Sequence, residues 1–148
     1  QRQMCIRDRY YYPQVTETVR AAGELPNLYV TDFIKDMAAA YAASDLVISR
    51  AGAGSISEFC LLHKPVVLVP SPNVAEDHQT KNALALVDKQ AAIYVKDSEA
   101  EAKLMDVALN TVADDRKLKE LSENIARLAL PDSAKIIAQE VIKLAEKE

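Results

Sequence analysis

Short apolar segments alternate with helical patterns along the chain, and this alternation constrains the fold more than any other feature. Val66–Val69 lies between Pro65 and Pro70 and contains no polar residue. Leu46–Ser49 and Ala91–Val95 are likewise apolar without regular alternation. Strands of this kind are buried on both faces, as in a parallel sheet covered by helices. The sequence therefore predicts an α/β fold with a doubly wound, Rossmann-like parallel sheet.

The remaining patterns predict helices and one further strand. Leu28–Val30, extending as far as Phe33, reads as a short strand, and no strand precedes it. We therefore expect a sheet of about four strands that is truncated at its N-terminal side. The predicted helices are Gln14–Ala22, Met37–Ser44, Ser55–His63 and His78–Lys89. Two C-terminal helices follow. One carries the apolar stripe Leu118, Leu121, Ile125 and Leu128, and the other is capped by Asp132 or Ser133.

Length, charge and cysteine content narrow the class of protein. The chain has 148 residues, which suits one domain, and it lacks any apolar run near the ~20 residues that span a bilayer. A net charge of −4 disfavours nucleic acid as a partner. Cys5 and Cys60 form neither a disulfide framework nor a metal knuckle, which favours a reducing compartment, and Cys60 is expected in the core.

The first nine residues differ from the rest of the chain. Residues 1–9 carry three arginines, show no regular periodicity and lack the apolar stretch of a signal peptide. We expect them to be a non-native leader, followed by one domain at residues 10–148.

Small residues between a strand and a helix give the strongest functional signal. Gly52 and Gly54 follow the strand Leu46–Ser49 in the run Ala51-Gly52-Ala53-Gly54-Ser55. Glycine lets the backbone approach a ligand closely, and a helix N-terminus presents unpaired N–H groups and the positive end of the helix dipole. This arrangement predicts a cradle for a phosphate or diphosphate. Arg50, beside it, is either a surface charge or a partner for that anion.

Glu58 has two interpretations from its spacing. Ser55-x-x-Glu58 matches a capping box, in which the Glu58 carboxylate accepts the backbone N–H of Ser55. Alternatively, Glu58 lies one turn into the helix and accepts both hydroxyls of a ribose. The spacing alone leaves both interpretations open.

A proline-containing loop delivers polar side chains to the start of another helix. His78, Gln79 and Asn82 follow the loop that begins at Pro70. These side chains both donate and accept hydrogen bonds, as sugar hydroxyls require. The alternative is capping by Asp77 with ordinary polar surface around it.

Two other positions have more than one interpretation. Phe33 and Ile34, after the strand predicted at Leu28–Val30, either cover a planar base that the loop backbone binds or pack in the core. His63 precedes Lys64 and Pro65 and is expected to cap the C-terminus of its helix.

Three motifs in this order and spacing resemble the MurG family. They are Phe33-Ile34-x-Asp36-Met37 with Tyr41 and Asp45, then Ser49-Arg50-x-Gly52-x-x-Ser55-x-Ser57-Glu58, then Pro65-x-x-x-x-Pro70 with His78-Gln79-x-x-Asn82-Ala83. The family comprises bacterial transferases that add N-acetylglucosamine to the lipid-linked muramyl-pentapeptide in peptidoglycan synthesis. The resemblance extends from about residue 10 to the C-terminus.

The resemblance implies the C-terminal, donor-binding half of a GT-B glycosyltransferase. The backbone around Ile34 would hold uracil, Glu58 the ribose hydroxyls, and His78 and Gln79 the hydroxyls of N-acetylglucosamine. Position 78 departs from relatives that carry glutamine there. The remaining substrate-binding residues, in the diphosphate loop and in the last motif, would be Arg50, Gly52, Ala53, Gly54, Ser55 and Asn82.

The implied activity is an inverting transfer from UDP-N-acetylglucosamine. The lipid-linked acceptor would bind through an N-terminal domain that this chain lacks, so no catalytic residue is expected here and the chain alone is expected to be inactive. No Asp-x-Asp signature occurs, so no metal or other cofactor is predicted. The implied location is the cytoplasm, peripheral on the inner face of the membrane. Alternatives are a diacylglycerol glycosyltransferase, a UDP-N-acetylglucosamine epimerase or a non-catalytic donor-binding subunit.

Overall fold

Three parallel strands form the sheet in the computed structural model, which describes residues 2–23, 27–72 and 77–146, with the backbone alone described for residues 2–11. Within these residues the strands are β1 (Val47–Ser49), β2 (Val66–Leu68) and β3 (Ile93–Tyr94), in the order β1-β2-β3. Val47 pairs with Val66, and Val67 pairs with Ile93. The predicted α/β fold with a Rossmann-like parallel sheet is confirmed.

Helices follow each strand, and three more helices end the chain. The segments α1 and α2 precede the sheet, α3 and α4 follow β1 and β2, and a 3₁₀ turn follows β3. The bounds are α1 (Arg2–Ala21), α2 (Met37–Ala43), α3 (Ala53–Leu62), α4 (His78–Val87), the 3₁₀ turn (Asp97–Glu99), α5 (Ala100–Val112), α6 (Asp115–Ala126) and α7 (Ser133–Ala145).

The chain divides into two compact units, residues 1–43 and residues 44–148. The first unit contains α1 and α2. The second unit contains the whole sheet and the helices from α3 onward.

The helix α1 is longer than the sequence predicts. It begins at Arg2 rather than Gln14 and includes Pro13. Inside a helix, proline removes one backbone hydrogen bond and its ring crowds the carbonyl four residues earlier, yet this helix continues through Pro13. The segment 1–9, expected to be a non-native leader, is helical from Arg2.

The predicted strand at Leu28–Val30 is wrong. These residues have no regular secondary structure, and Leu28 and Tyr29 are 50% and 87% exposed. A strand is stable only when a neighbour pairs with its backbone and its apolar side chains are covered. Three apolar residues cannot distinguish a strand from an exposed loop, so the sheet has three described strands rather than about four.

The core of the second unit lies around β2. Val66, Val67 and Leu68 are fully buried, as expected for a central strand covered on both faces. Val67, Val69 and Val95 form one cluster against which Leu104 and Val107 of α5 pack. Phe59 of α3 and the α6 residues Leu121 and Ile125 are also buried, and α3 packs against α6.

Candidate functional site

The segments that directly follow the three strands lie at one edge of the sheet, here called the carboxyl edge. It comprises residues 50–55 after β1, residues 69–71 after β2 and residues 95–97 after β3. In open α/β sheets, ligands bind outside the carboxyl ends of the strands. The polar residues of the second unit that were predicted as ligands all lie on these segments or on the helices that follow them.

The N-terminus of α3 presents backbone donors at the carboxyl edge. Gly52 is the N-cap residue, without a side-chain cap, and the N–H of Ile56 donates to the Gly52 carbonyl at 3.0 Å. The N–H groups of Ala53, Gly54 and Ser55 therefore precede the first helical hydrogen bond. A Cβ built at Gly54 would meet no other atom within 4 Å. Open space thus faces the first turn of α3, as an anion-binding helix N-terminus requires.

The capping-box interpretation of Glu58 is wrong. The helix begins at Ala53, so Ser55 lies inside the first turn and is not the N-cap. Glu58 lies one turn after Gly54, on the same face of α3, and is half-buried. The capping box is therefore excluded, and the ribose interpretation stays a prediction.

Arg50 joins the three segments of the carboxyl edge. Its Nη1 donates to the carbonyls of Val69 at 3.1 Å and Pro70 at 3.2 Å and also to Oδ1 of Asp97. It is therefore not the simple surface charge that one interpretation predicted. Whether it also binds an anion stays a prediction.

Gln79 and Asn82 hold the neighbouring loops. The Ser71 N–H donates to Oε1 of Gln79 at 2.9 Å, and Nδ2 of Asn82 donates to the Ala51 carbonyl at 3.2 Å. Gln79 thus joins α4 to the loop after β2, whereas Asn82 joins α4 to the small-residue loop after β1. Both side chains are half-buried.

His78 and Asp77 lie at the start of α4. His78 is exposed and is the first residue of the helix. Asp77 is the N-cap in a left-handed conformation, with φ of 53° and no side-chain hydrogen bond of the capping kind. Asp77 thus occupies the N-cap position, as the capping alternative predicts, but its side chain does not cap the helix. Residues 73–76 of this loop lie outside the described residues.

Ile34 belongs to the first unit, residues 1–43. Phe33 and Ile34 are each 45% exposed, so the core-packing alternative is wrong for both. Thr31 and Phe33 form a local turn, in which the Phe33 N–H donates to Oγ1 of Thr31 at 3.3 Å. Asp36 caps α2, accepting the Ala39 N–H at 2.9 Å.

Two residues without a predicted ligand role lie where the sequence predicts. His63 ends α3 in a left-handed conformation, with φ of 54°, and its N–H donates to the Cys60 carbonyl. Cys60 is 5% exposed, and burial raises the pKa of its thiol. Both residues are thus explained by structure alone.

The described part of the chain holds no candidate metal cluster and no candidate membrane-spanning helix. No group of three or more His, Cys, Asp or Glu residues there is placed to hold a metal ion. No helix in the same residues combines the length and the apolar character needed to cross a membrane.

A shallow depression of about 370 Å³ lies at the opposite, amino edge of the sheet. Its lining includes Ser44, Lys64 and Ser122. The Lys64 ammonium donates to the Ser44 carbonyl at 2.9 Å, and the Ser122 hydroxyl donates to the His63 carbonyl at 2.8 Å. These polar groups therefore connect protein segments, and the depression lies away from the edge where open sheets bind ligands.

Asp97 is the residue that sequence reasoning missed. It lies just after β3, in the same topological position as Arg50 after β1 and Pro70 after β2. The rule that drew attention to the other strand ends applies equally here. The partnership with Arg50, 47 residues away, has no local sequence signal.

A three-stranded parallel sheet with a helix N-terminus at its carboxyl edge defines a Rossmann-like α/β domain. Comparison with known families then identifies its kind, because the model of the glycosyltransferase family 28 C-terminal domain matches residues 6–137. The chain belongs to that family. The match begins within residues 1–9, and the non-native origin of that segment stays a prediction.

Similar proteins carry one name. The chain is 96% identical over 140 residues to the Bacteroides thetaiotaomicron UDP-N-acetylglucosamine–N-acetylmuramyl-(pentapeptide) pyrophosphoryl-undecaprenol N-acetylglucosamine transferase, covering 95% of this chain and 38% of the relative. The protein of the same name from Parabacteroides distasonis is 56% identical, with the same two coverages. The crystal structure of Acinetobacter baumannii MurG matches with a TM-score of 0.74 and 32% identity, covering 91% of this chain and 39% of that one. The chain thus spans about two fifths of the relatives that it matches.

Proposed function

We propose that this chain is the donor-binding domain of a GT-B glycosyltransferase that transfers N-acetylglucosamine from UDP-N-acetylglucosamine to the lipid-linked muramyl-pentapeptide of peptidoglycan. The observation that carries the proposal is the 96% identity, over 95% of the chain, to a relative named for this reaction. The geometry of the carboxyl edge supports it, because a helix N-terminus with open space before it suits the diphosphate of a nucleotide sugar.

The diphosphate, ribose and hexose of the donor are assigned to residues 44–148. The N–H groups at the start of α3 bind the diphosphate, Glu58 accepts the ribose hydroxyls, and His78 and Gln79 meet the hexose. The contact between uracil and the backbone around Ile34 stays a separate prediction from the family resemblance. Arg50 and Asn82 keep the loops in place.

The chemistry of the step assigns a role to α3. The acceptor hydroxyl attacks the anomeric carbon from the face opposite the leaving group, the bond to the diphosphate oxygen breaks, and UDP leaves with inversion. Negative charge develops on that oxygen as the bond breaks. Backbone donors fixed at the N-terminus of α3 stabilise this charge more than they stabilise the ground state, which lowers the barrier.

The acceptor and the membrane involve the part of the relatives that this chain does not match. The chain covers 38% of the Bacteroides thetaiotaomicron relative. We place the lipid-linked acceptor on a separate N-terminal domain and the whole protein on the inner face of the cytoplasmic membrane.

A chimera tests the proposed function. This chain replaces the matching 140 residues of the Bacteroides thetaiotaomicron transferase, and transfer of labelled N-acetylglucosamine to a lipid-linked muramyl-pentapeptide is measured. We expect transfer by the chimera and none by this chain alone. A chimera that folds but uses only diacylglycerol as acceptor, or that only epimerises the donor, contradicts the proposal.

Glu58→Gln in the chimera tests the ribose contact. A hydrogen bond to a charged group contributes about 1.5–3 kcal/mol, so UDP affinity should fall about tenfold or more with little change in thermal stability. Glu101→Gln, an exposed carboxylate on α5, is the matched control and should change neither. Unchanged UDP affinity in Glu58→Gln would remove the ribose assignment.

A further inference from the structure

Arg50 and Asp97 connect the ends of all three strands. Arg50 follows β1 directly, and its Nη1 reaches the carbonyls of Val69 and Pro70, directly after β2. The same Nη1 donates to Asp97, which begins the 3₁₀ turn after β3. One side chain therefore connects three segments through contacts between residues 19 to 47 apart in sequence.

The two carbonyls need this partner. Val69 and Pro70 are buried, and both lie beyond the end of β2. A buried carbonyl without a hydrogen bond is costly, and Arg50 supplies donors to both. A single nitrogen, Nη1, thus donates to two backbone oxygens and to one carboxylate oxygen.

The segments joined in this way carry the proposed donor site. The loop 50–55 leads into the N-terminus of α3, and the segment 69–71 leads toward α4, whose Gln79 accepts the Ser71 N–H. A shift of one segment relative to the other would move the diphosphate donors relative to the hexose contacts. Asp97 has no such ligand role, yet its carboxylate fixes the side chain that sets this spacing.

We propose that Arg50 and Asp97 form a positioning pair that sets the spacing of the two loops at the carboxyl edge, so that Asp97 increases affinity for the nucleotide sugar without contacting it. The proposal rests on the proposed function, since it concerns the same donor site. It makes Asp97 a positioning residue and gives Arg50 a role other than direct contact with the diphosphate.

Whether loss of the Asp97 carboxylate weakens or strengthens nucleotide-sugar binding distinguishes a positioning role from a purely electrostatic one. UDP-N-acetylglucosamine is an anion, so removing the negative charge of Asp97 should strengthen binding if charge alone mattered. Release of Arg50 from its carboxylate partner should strengthen binding further if Arg50 contacted the diphosphate directly. A positioning pair predicts the opposite result, because the loops lose their fixed spacing.

The experiment measures the dissociation constants of UDP and UDP-N-acetylglucosamine by calorimetry, with thermal unfolding, in this chain and in the chimera. We expect Asp97→Ala to weaken binding of the nucleotide sugar about three- to tenfold, which lies within the range of coupling between residues in contact. Asp97→Asn keeps an oxygen that can accept from Arg50 and should lose less. Because both side chains of the pair are partly exposed, at 50% and 34%, the unfolding midpoint should change little.

Two further variants complete the test. Arg50→Lys keeps the charge but replaces the planar guanidinium with a shorter side chain. In combination with Asp97→Ala it should weaken binding no more than the stronger single variant. Glu99→Gln is the matched control: it removes a charge from the same 3₁₀ turn, but Glu99 pairs with Lys103 at 2.8 Å, so affinity should stay unchanged.

Each outcome decides one claim. If Asp97→Ala binds the nucleotide sugar as tightly as the wild type or more tightly, the positioning pair is overturned. Additive losses of affinity in the double variant would overturn it too. In both cases, binding by the wild-type protein still upholds the proposed function. An equal loss in Glu99→Gln would also overturn the positioning pair. Absence of nucleotide-sugar binding by the folded wild-type proteins would overturn both proposals.

Discussion

Gly54 is the residue at which folding and ligand binding make opposite demands. It lies in the first turn of α3, where alanine is a better helix former and where a Cβ meets no other atom within 4 Å. Gly54→Ala should therefore raise the free energy of unfolding by about 0.5–1 kcal/mol. It should also lower UDP affinity by roughly tenfold, because the new methyl group occupies the space before the helix N-terminus. Chemical denaturation and calorimetry on the same preparations measure both. A more stable variant with unchanged UDP affinity would exclude the diphosphate from this turn.

Gln79 combines a structural hydrogen bond with a proposed sugar contact. Its Oε1 accepts the Ser71 N–H, whereas its amide N–H groups are the donors that the hexose would use. Gln79→Glu keeps an acceptor for Ser71 but removes those donors, and Gln79→Ala removes both.

The ratio of kcat/KM for UDP-N-acetylglucosamine and its C4 epimer measures the sugar contact in the chimera. Both Gln79 variants should reduce this ratio by about tenfold, since a site built to bind a hydroxyl rejects a misplaced one. UDP affinity should stay nearly unchanged in Gln79→Ala, which adds no charge beside the anionic donor. If Gln79→Glu keeps the wild-type ratio, Gln79 serves only to hold the loop.

At the scale of the elements, α6 and α7 differ in what covers them. Ile125 of α6 is fully buried, whereas Ile137 of α7 is 63% exposed, and no described residue of α7 is buried. Ile125→Ala should cost about 2–5 kcal/mol of unfolding free energy, and Ile137→Ala less than about 1 kcal/mol. Denaturant titration of the two variants checks this contrast. Equal losses would mean that the apolar face of α7 is covered in solution.

The elements also show what the sequence could predict. The buried strands at Val66–Leu68 and Val47–Ser49 were predictable because an apolar run between turn signals has few alternatives. The strand predicted at Leu28–Val30 failed because pairing depends on a neighbour that three residues cannot specify. The start of α3 at Ala53 rather than Ser55 changes the interpretation of Glu58, since helix starts are set by φ and ψ at Gly52 rather than by the capping pattern.

Part of the site could also be predicted from the sequence, because the strands themselves could be located. Loops directly after strands could be found from strand positions alone, which led to Gly54, Glu58 and Gln79. The hydrogen bonds that hold these loops, from Arg50 to Asp97 and from Asn82 to Ala51, join residues 47 and 31 apart. Such contacts depend on the folded sheet and leave no pattern in the sequence.

At the scale of the whole molecule, we propose that the carboxyl edge of the sheet binds the nucleotide sugar. The two edges of the second unit offer different chemistry, with backbone donors of α3 at the carboxyl edge and the depression beside Lys64 at the amino edge. The general rule that open α/β sheets bind ligands beyond the carboxyl ends of their strands favours the carboxyl edge.

The most direct measurement is a titration of the ¹⁵N-labelled chain with UDP-N-acetylglucosamine, followed by amide chemical shifts. The account predicts saturable shifts that are largest at Ala53, Gly54, Ser55 and Gln79, with the amides of Ser44, Lys64 and Ser122 unchanged. Uridine alone should leave the amides of Ala53, Gly54 and Ser55 nearly unchanged, because it lacks the diphosphate. Shifts confined to the amino edge, or none in the folded chain at millimolar ligand, would contradict the account.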